Sequence, residues 1–268
     1  MNDLINLTGN LYPSERMPLL FIGHGSPMNA IEDNVFSRKW AKIGTEIPRP
    51  QAILCISAHW LTSGTFVTAM EEPRTIHDFG GFPPELFRQQ YPSPGSPELA
   101  KLISNMPESN LIEKDFTWGL DHGTWSVLKP MFPLADIPVI QLSIDYSKPP
   151  EFHFELAKEL GKLRDKGVLV LGSGNIVHNL RQLRVDEKIP DWSFEFDTKI
   201  AGWIETGDDQ SIVDFLKLGA LAQMAHPSYD HFLPLIYALG FKSEGEFPEF
   251  FNTGFQMGSI SMRSVIWK

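Results

Sequence analysis

Four of the eight histidines in this 268-residue chain stand at the ends of apolar segments or beside turns. They are His24 in LLFIGHGSP, His59 in AILCISAHW, His178 in VLVLGSGNIVHN and His231 in HPSYDHFLPL. Imidazole is the commonest protein ligand for metal ions, and it binds zinc, iron, copper and nickel. The pattern therefore predicts a metal site, provided that the fold brings these side chains together.

Apolar runs of strand length come just before His24 and His59. Segments 17–22 and 51–57 predict core strands, and the amphipathic segment between them predicts a helix. In open α/β sheets, ligands bind outside the carboxyl ends of the strands. Because both histidines occupy the same position relative to their strands, we expect their imidazoles to project into one crevice if the two strands are neighbours.

Strands alternate with helices along the rest of the chain. This alternation predicts an α/β fold, in one catalytic domain over residues 1–268 with 1–16 as an N-terminal extension. Its central sheet, mostly parallel or mixed, would be covered by helices on both faces. The remaining predicted strands are 65–70, 137–144, 168–171 and 255–267, and the predicted helices are 97–105, 151–166, 208–219 and 231–239, the last capped by Asp230.

Segment 71–97 is rich in proline and glycine, which predicts a long ordered loop of the kind that often covers active sites. His77 belongs to this loop, where it could touch a substrate. His153 is placed on a surface helix and receives no role.

Three further features bear on the site. His122, in GLDHGTW, sits in a glycine-bracketed turn typical of an active-site loop. In GSGN, Gly172 and Gly174 let the chain leave its strand and place Asn175 or His178 over the site. His226 lies five residues before His231 with a proline between them, so the two are not expected to chelate together, and His226 would brace the turn.

Composition limits the partners. The net charge is −10, from 33 acidic and 23 basic residues, and no basic cluster is present, which argues against nucleic acid. Cys55 is the single cysteine, so no disulfide forms within one chain. Neither a signal peptide nor an apolar run of about 20 residues is apparent, so we expect a cytoplasmic protein that does not bind membranes.

Taken together, GHGSP, SAHW, GLDHGTW, GSGNIVHN and HPSYDHFLPL resemble the motifs of the class III extradiol ring-cleavage dioxygenases of LigB type, and more narrowly of the branch that acts on DOPA. The resemblance runs from about residue 17 to the C-terminus. It implies a LigB-like α/β fold with one non-haem metal ion, and it assigns His24, His59 and His231 as ligands. His178 would be the acid/base histidine or a fourth ligand, and His122 would be the second catalytic histidine, facing substrate or oxygen.

The resemblance implies that a DOPA-like catechol and O2 are the small-molecule partners, with Fe(II) expected for activity and Zn(II) an alternative in the purified protein. The better-known LigB pattern has two histidines and a carboxylate, whereas this set is all histidine, so the choice of metal stays open. Two other functions stay open as well. One is zinc-dependent hydrolysis with Asp121 or Asp145 as base, and the other is a binding role like that of the Memo family, which shares the fold.

Overall fold

A computed structural model describes residues 14–108 and 111–268. The strands in these ranges are β1 (Leu19–Gly23), β2 (Ala52–Thr62), β3 (Thr65–Thr68), β4 (Ile112–Asp115), β5 (Val139–Asp145), β6 (Val168–Gly174), β7 (Pro248–Phe251), β8 (Phe255–Gln256), β9 (Ile260–Ser261) and β10 (Ser264–Trp267). The helices are α1 (Val35–Glu46), α2 (Pro84–Phe87), α3 (Pro97–Ser104), α4 (His122–Met131), α5 (Pro150–Leu160), α6 (Asp191–Thr206), α7 (Asp209–Val213), α8 (Ala220–Ala225) and α9 (Leu233–Phe241).

Eight strands form one mixed sheet in the order β4-β3-β5-β2-β6-β1-β10-β7. Its centre is parallel, because β2 pairs with β5 and β6, and β6 pairs with β1. Toward the edges, β3 pairs antiparallel with β5, and β10 pairs antiparallel with β1 and β7. Every residue of β1, β5 and β6 is buried, as expected for strands covered on both faces.

The core has one apolar cluster on each face of the sheet. Helices α5 and α9 belong to the first cluster, through Leu156 and Leu235. Helices α1 and α4 belong to the second, through Trp40 and Trp125. The predicted single α/β domain with a mixed sheet covered on both faces is therefore confirmed. Of the predicted extension 1–16, residues 1–13 lie outside the described ranges.

Several predicted elements differ from the observed ones. Strand β2 continues to Thr62, and the predicted helix 208–219 is broken into α7 and a short 3₁₀ segment, Phe215–Leu218. Asp230 does not cap a helix, since α9 begins at Leu233 and has no side-chain cap. His153 is fully buried rather than on the surface, because α5 packs against α9 and the His153 Nδ1 atom lies 3.0 Å from the hydroxyl of Tyr237.

The strand order corrects one expectation about the site. Strands β1 and β2 are not neighbours, because β6 lies between them. Gly23 pairs with Gly174, and Ser57 pairs with Ser173, so the ends of β1 and β2 flank the end of β6. The histidines that follow β1 and lie near the end of β2 therefore meet across β6.

No helix in ranges 14–108 and 111–268 has both the length and the apolar character needed to cross a membrane.

Candidate metal centre

Five histidine rings gather at the carboxyl ends of β1, β2 and β6. Their ring centroids are 5.1 Å apart for His24 and His59, and 5.3 Å for His24 and His231. His122 lies 3.9 Å from His59, and His178 lies 3.4 Å from His231. The structure thus brings together all five histidines that the sequence assigned to the site.

A hydroxyl relay orients His24, which is almost fully buried. The Ser173 hydroxyl donates to the carbonyl oxygen of Gly123, so its lone pair is free to accept the Nδ1 proton of His24, 3.1 Å away. This places the His24 proton on Nδ1 and leaves Nε2 unprotonated, so that it could bind an ion.

His59 lies where β2 is irregular. The register between β2 and β5 shifts between Ile56 and Leu61, and irregularities of this kind re-aim side chains next to active sites. The Nε2 atom of His59 lies 3.2 Å from Nε2 of His24, while its Nδ1 atom lies 3.4 Å from the carboxylate of Asp78. Two ring nitrogens therefore face each other across the centre of the cluster.

His231 is carried over the end of β6 by a close backbone approach. The amide of Asn175 donates to the carbonyl oxygen of His231 at 2.9 Å, and a Cβ atom on Gly174 would overlap that same carbonyl. The glycine in GSGN therefore makes room for this histidine. Asp230 Oδ2 lies 2.5 Å from Nδ1 of His231, which fixes the proton on Nδ1 and leaves Nε2 unprotonated.

His178 stacks on His231 with an angle of 5° between the ring planes. Its backbone amide donates to the carbonyl oxygen of Ala225, so the position of the residue is fixed. Neither ring nitrogen of His178 has a hydrogen-bond partner in the described part of the chain. The ring is half-buried and lines a small cavity.

His122 is the first residue of α4. Asp121 caps this helix by accepting from the amide of Thr124, and a Cβ atom on Gly123 would overlap Ser57 and His59. The motif DHG thus combines a cap, an inward-facing histidine and a close contact with β2. Asp78 Oδ1 accepts from the His122 amide at 2.9 Å, and Asp78 Oδ2 lies 3.0 Å from the His122 Nδ1 atom.

Burial keeps most of these imidazoles neutral. Burial and the neighbouring histidines hold the pKa values of His24 and His231 well below the usual range. Burial lowers the pKa of His59 to about 3 and that of His178 to about 4. Burial works against the ionised form of Asp78, but the hydrogen bond and charge of His122 outweigh it and lower the pKa of this carboxyl. Near neutral pH the site therefore presents unprotonated ring nitrogens to an ion.

The donor set fits a metal ion. Two nitrogen ligands at about 2.0–2.1 Å from a tetrahedral ion are about 3.3 Å apart, close to the 3.2 Å between the Nε2 atoms of His24 and His59. A cation between them accepts both lone pairs when the ring protons are on the Nδ1 atoms. Ring nitrogens of His24, His59 and His122 all lie within 4.8 Å of one another. This triplet contains His122, which the family resemblance placed facing substrate or oxygen, and leaves out His231.

Two carboxylates at the site were missed by sequence reasoning. Asp78 comes from the long loop, and Asp230 directly precedes His231 in the chain, where it was interpreted as a helix cap. Asp121, considered as the base of a hydrolase, is fully buried and accepts from the side chains of Ser57, Gln141 and Trp118 and from the amide of Thr124. Its lone pairs are therefore already used.

The loop that holds Asp78 forms an aromatic wall beside the site. Phe79 packs against His122, with a centroid distance of 5.5 Å, and against Trp125. His77 makes its polar contact with the carbonyl oxygen of Gln89 at 2.9 Å, which ties the loop to itself. His226 stands outside the cluster, because its Nε2 atom bonds the carbonyl oxygen of Ile176 at 2.7 Å.

Comparisons with known proteins identify the family and the fold of the chain. Residues 18–264 match the family described as the catalytic LigB subunit of aromatic ring-opening dioxygenase. A protein of Escherichia coli (strain K12) named "4,5-DOPA dioxygenase extradiol" is 46% identical over 260 residues, covering 94% of this chain and 95% of the relative. A protein of Beta vulgaris with the same name is 35% identical, covering 91% of this chain and 94% of the relative. A crystal structure of an uncharacterized protein from Escherichia coli K12 superposes with a TM-score of 0.82 and 41% identity, covering 94% of this chain and 99% of that one.

Proposed function

The chain belongs to the LigB family of aromatic ring-opening dioxygenases, and from this we propose that it opens a DOPA-like catechol ring with O2 at a single non-haem metal ion. The observation that carries the proposal is the pair of facing Nε2 atoms of His24 and His59, 3.2 Å apart in a buried cluster of neutral imidazoles.

The metal would be held by His24, His59 and His231. Support for His24 and His231 comes from the partners of their Nδ1 atoms, Ser173 and Asp230, which leave each Nε2 atom free to bind the ion. A carboxylate or hydroxyl behind a ligating imidazole is the usual arrangement in metal sites. Fe(II) is the ion proposed for activity, and Zn(II) is the competitor that imidazoles bind as readily.

When bound, the ion supplies Lewis acidity toward the diol and a common position for the diol and O2. The residues of the chain manage the protons. The pKa of His178 lies at about 4, so its imidazole is neutral near pH 7 and acts as the base that takes a proton from a catechol hydroxyl. The protonated imidazole would then return that proton to an oxygen atom of the reacting substrate. His122, held by Asp78, is the second histidine facing the reactants.

Anaerobic reconstitution tests this function. The metal-free protein is loaded with Fe(II) or with Zn(II), mixed with a panel of catechols, and exposed to a measured amount of O2. We expect O2 uptake and a coloured ring-opened product with the ferrous form only. If no catechol causes O2 uptake, the dioxygenase proposal is refuted. Hydrolysis of an ester or amide by the zinc form would favour the hydrolase.

A further inference from the structure

A small cavity opens beside the histidine cluster, and its wall includes one positively charged side chain, that of Arg181. The cavity holds about 170 Å³, and a cavity of about 150 Å³ is enough for a benzene ring. His178 lies in the same wall, with no partner in the described chain for either ring nitrogen. The lining residues are His178, Asn179, Leu180, Arg181, Pro227 and Ser228.

The guanidinium of Arg181 has no polar partner in the described part of the chain. Apart from Arg88, every other arginine in these ranges makes an ion pair or a hydrogen bond through its side chain. An arginine offers five donors in a planar fork that matches a carboxylate. Arg181 is therefore free to bind an anion that enters the cavity.

The backbone that carries Arg181 is anchored. The amide of Arg181 donates to the side chain of Asn179 at 3.0 Å, and the buried Asn179 side chain donates to the carbonyl oxygen of Met224 at 2.6 Å. The amide of Asn179 also donates to the carbonyl oxygen of Ser259. A guanidinium on a fixed backbone loses less conformational freedom when it binds a ligand.

The charges around the cluster favour such a cation when the side chain of the substrate is anionic. The ionised groups that contact the histidines are the carboxylates Asp78 and Asp230, and the whole chain carries a net charge of −10. A negatively charged side chain on a catechol would be repelled by these groups. Arg181 supplies the opposite charge three positions along the chain from His178.

We propose that Arg181 is the specificity-determining residue of this cavity, and that it selects catechols whose side chain ends in a carboxylate. This inference rests on the proposed function. The aromatic ring would lie against Leu180 and Pro227 near His178, while the carboxylate pairs with the guanidinium.

The test compares two catechols that differ only in the carboxylate, 3-(3,4-dihydroxyphenyl)propanoate and 4-ethylcatechol. In Arg181→Gln we expect KM for the propanoate to rise, with little change in kcat, because the charge-assisted contact with the carboxylate is lost. The rise should be limited to about tenfold, because solvent screens a contact at an exposed position. KM for 4-ethylcatechol should stay constant, and Arg181→Lys should restore part of the loss. Arg184→Gln is the matched control, since Arg184 is paired with Asp186 and should leave both substrates unchanged.

A binding measurement separates this inference from the proposed function. Calorimetric titration of the metal-free protein with 3-phenylpropanoate, which has no hydroxyls, should give binding that weakens about tenfold in Arg181→Gln. If that binding depends on Arg181 while no catechol consumes O2, the dioxygenase proposal fails and the anion subsite stands. An equal loss for both catechols, or no loss for the propanoate, overturns the role of Arg181.

Discussion

Replacing Asp230 by asparagine tests how the cluster holds its metal. The carboxylate of Asp230 lies 2.5 Å from Nδ1 of His231, and an asparagine of the same shape can still accept that proton but carries no charge. A hydrogen bond to a charged group contributes about 1.5–3 kcal/mol, and one between neutral groups about 0.5–1.5 kcal/mol. The difference of about 1–1.5 kcal/mol corresponds to roughly tenfold weaker metal binding.

The assay is competition between the metal-free protein and a chromophoric chelator for Zn(II). We expect Kd to rise about tenfold in Asp230→Asn, at the lower end of the 10–100-fold range typical of partners behind a metal-bound histidine. Asp136→Asn is the control for the change in net charge, because Asp136 pairs with the exposed Arg49. Thermal unfolding of the metal-free variants checks that both fold. A Kd for Asp230→Asn within twofold of the wild-type value would contradict the ligand role of His231.

Three further predictions concern the proton carrier, the glycine beneath the site and the buried histidines. His178→Ala should keep its metal content but lose turnover by about 10²–10⁴-fold, and wild-type turnover in that variant would rule out its acid/base role. Gly174→Ala should lower the free energy of unfolding by about 1–3 kcal/mol and weaken metal binding, because its Cβ atom would overlap the backbone of His231. Gly202→Ala is the control, since this glycine lies in a helix with open space around it, and urea denaturation should show a stabilisation of up to about 1 kcal/mol. Burial lowers the pKa of His153 to about 4 in the folded protein. As the pH drops, the imidazole of the unfolded chain is protonated before that of the folded protein, so stability falls between about pH 6.5 and about pH 4. His153→Gln should reduce that slope by up to about 1.4 kcal/mol per pH unit, and an unchanged slope would show that His153 does not cause it.

The sequence predicted the histidines of the site better than their surroundings. His24 and His59 were identifiable because each lies at or near the carboxyl end of an apolar run. Where a strand ends can be recognised from its own residues, without knowing which strands lie beside it. That β6 lies between their strands is a tertiary property, which no segment of the sequence carries by itself. The fold class followed from the alternation of elements alone.

The partners of the histidines could not be predicted for similar physical reasons. Asp78 lies in a loop, and the residues that it contacts, His59 and His122, are 19 and 44 positions away in the sequence. An aspartate before an apolar run has the same local pattern whether it caps a helix or holds a histidine, which is why Asp230 was misassigned. His153 was predicted on the surface because its helix contains several charged residues. It is buried because α9 packs on α5 and covers the side of that helix on which His153 lies.

The position of β1 has a consequence for how the protein is made. β1 lies in the middle of the sheet, between β6 and β10, so both of its edges stay unpaired on the ribosome until segments 168–174 and 264–267 have been synthesised. Such late, long-range pairing is slow, and an unpaired apolar strand favours aggregation in the meantime. The segment that carries His24 is thus synthesised before either of its partner strands and is paired on both edges only after both have followed, so the nascent chain exposes an apolar strand for that time.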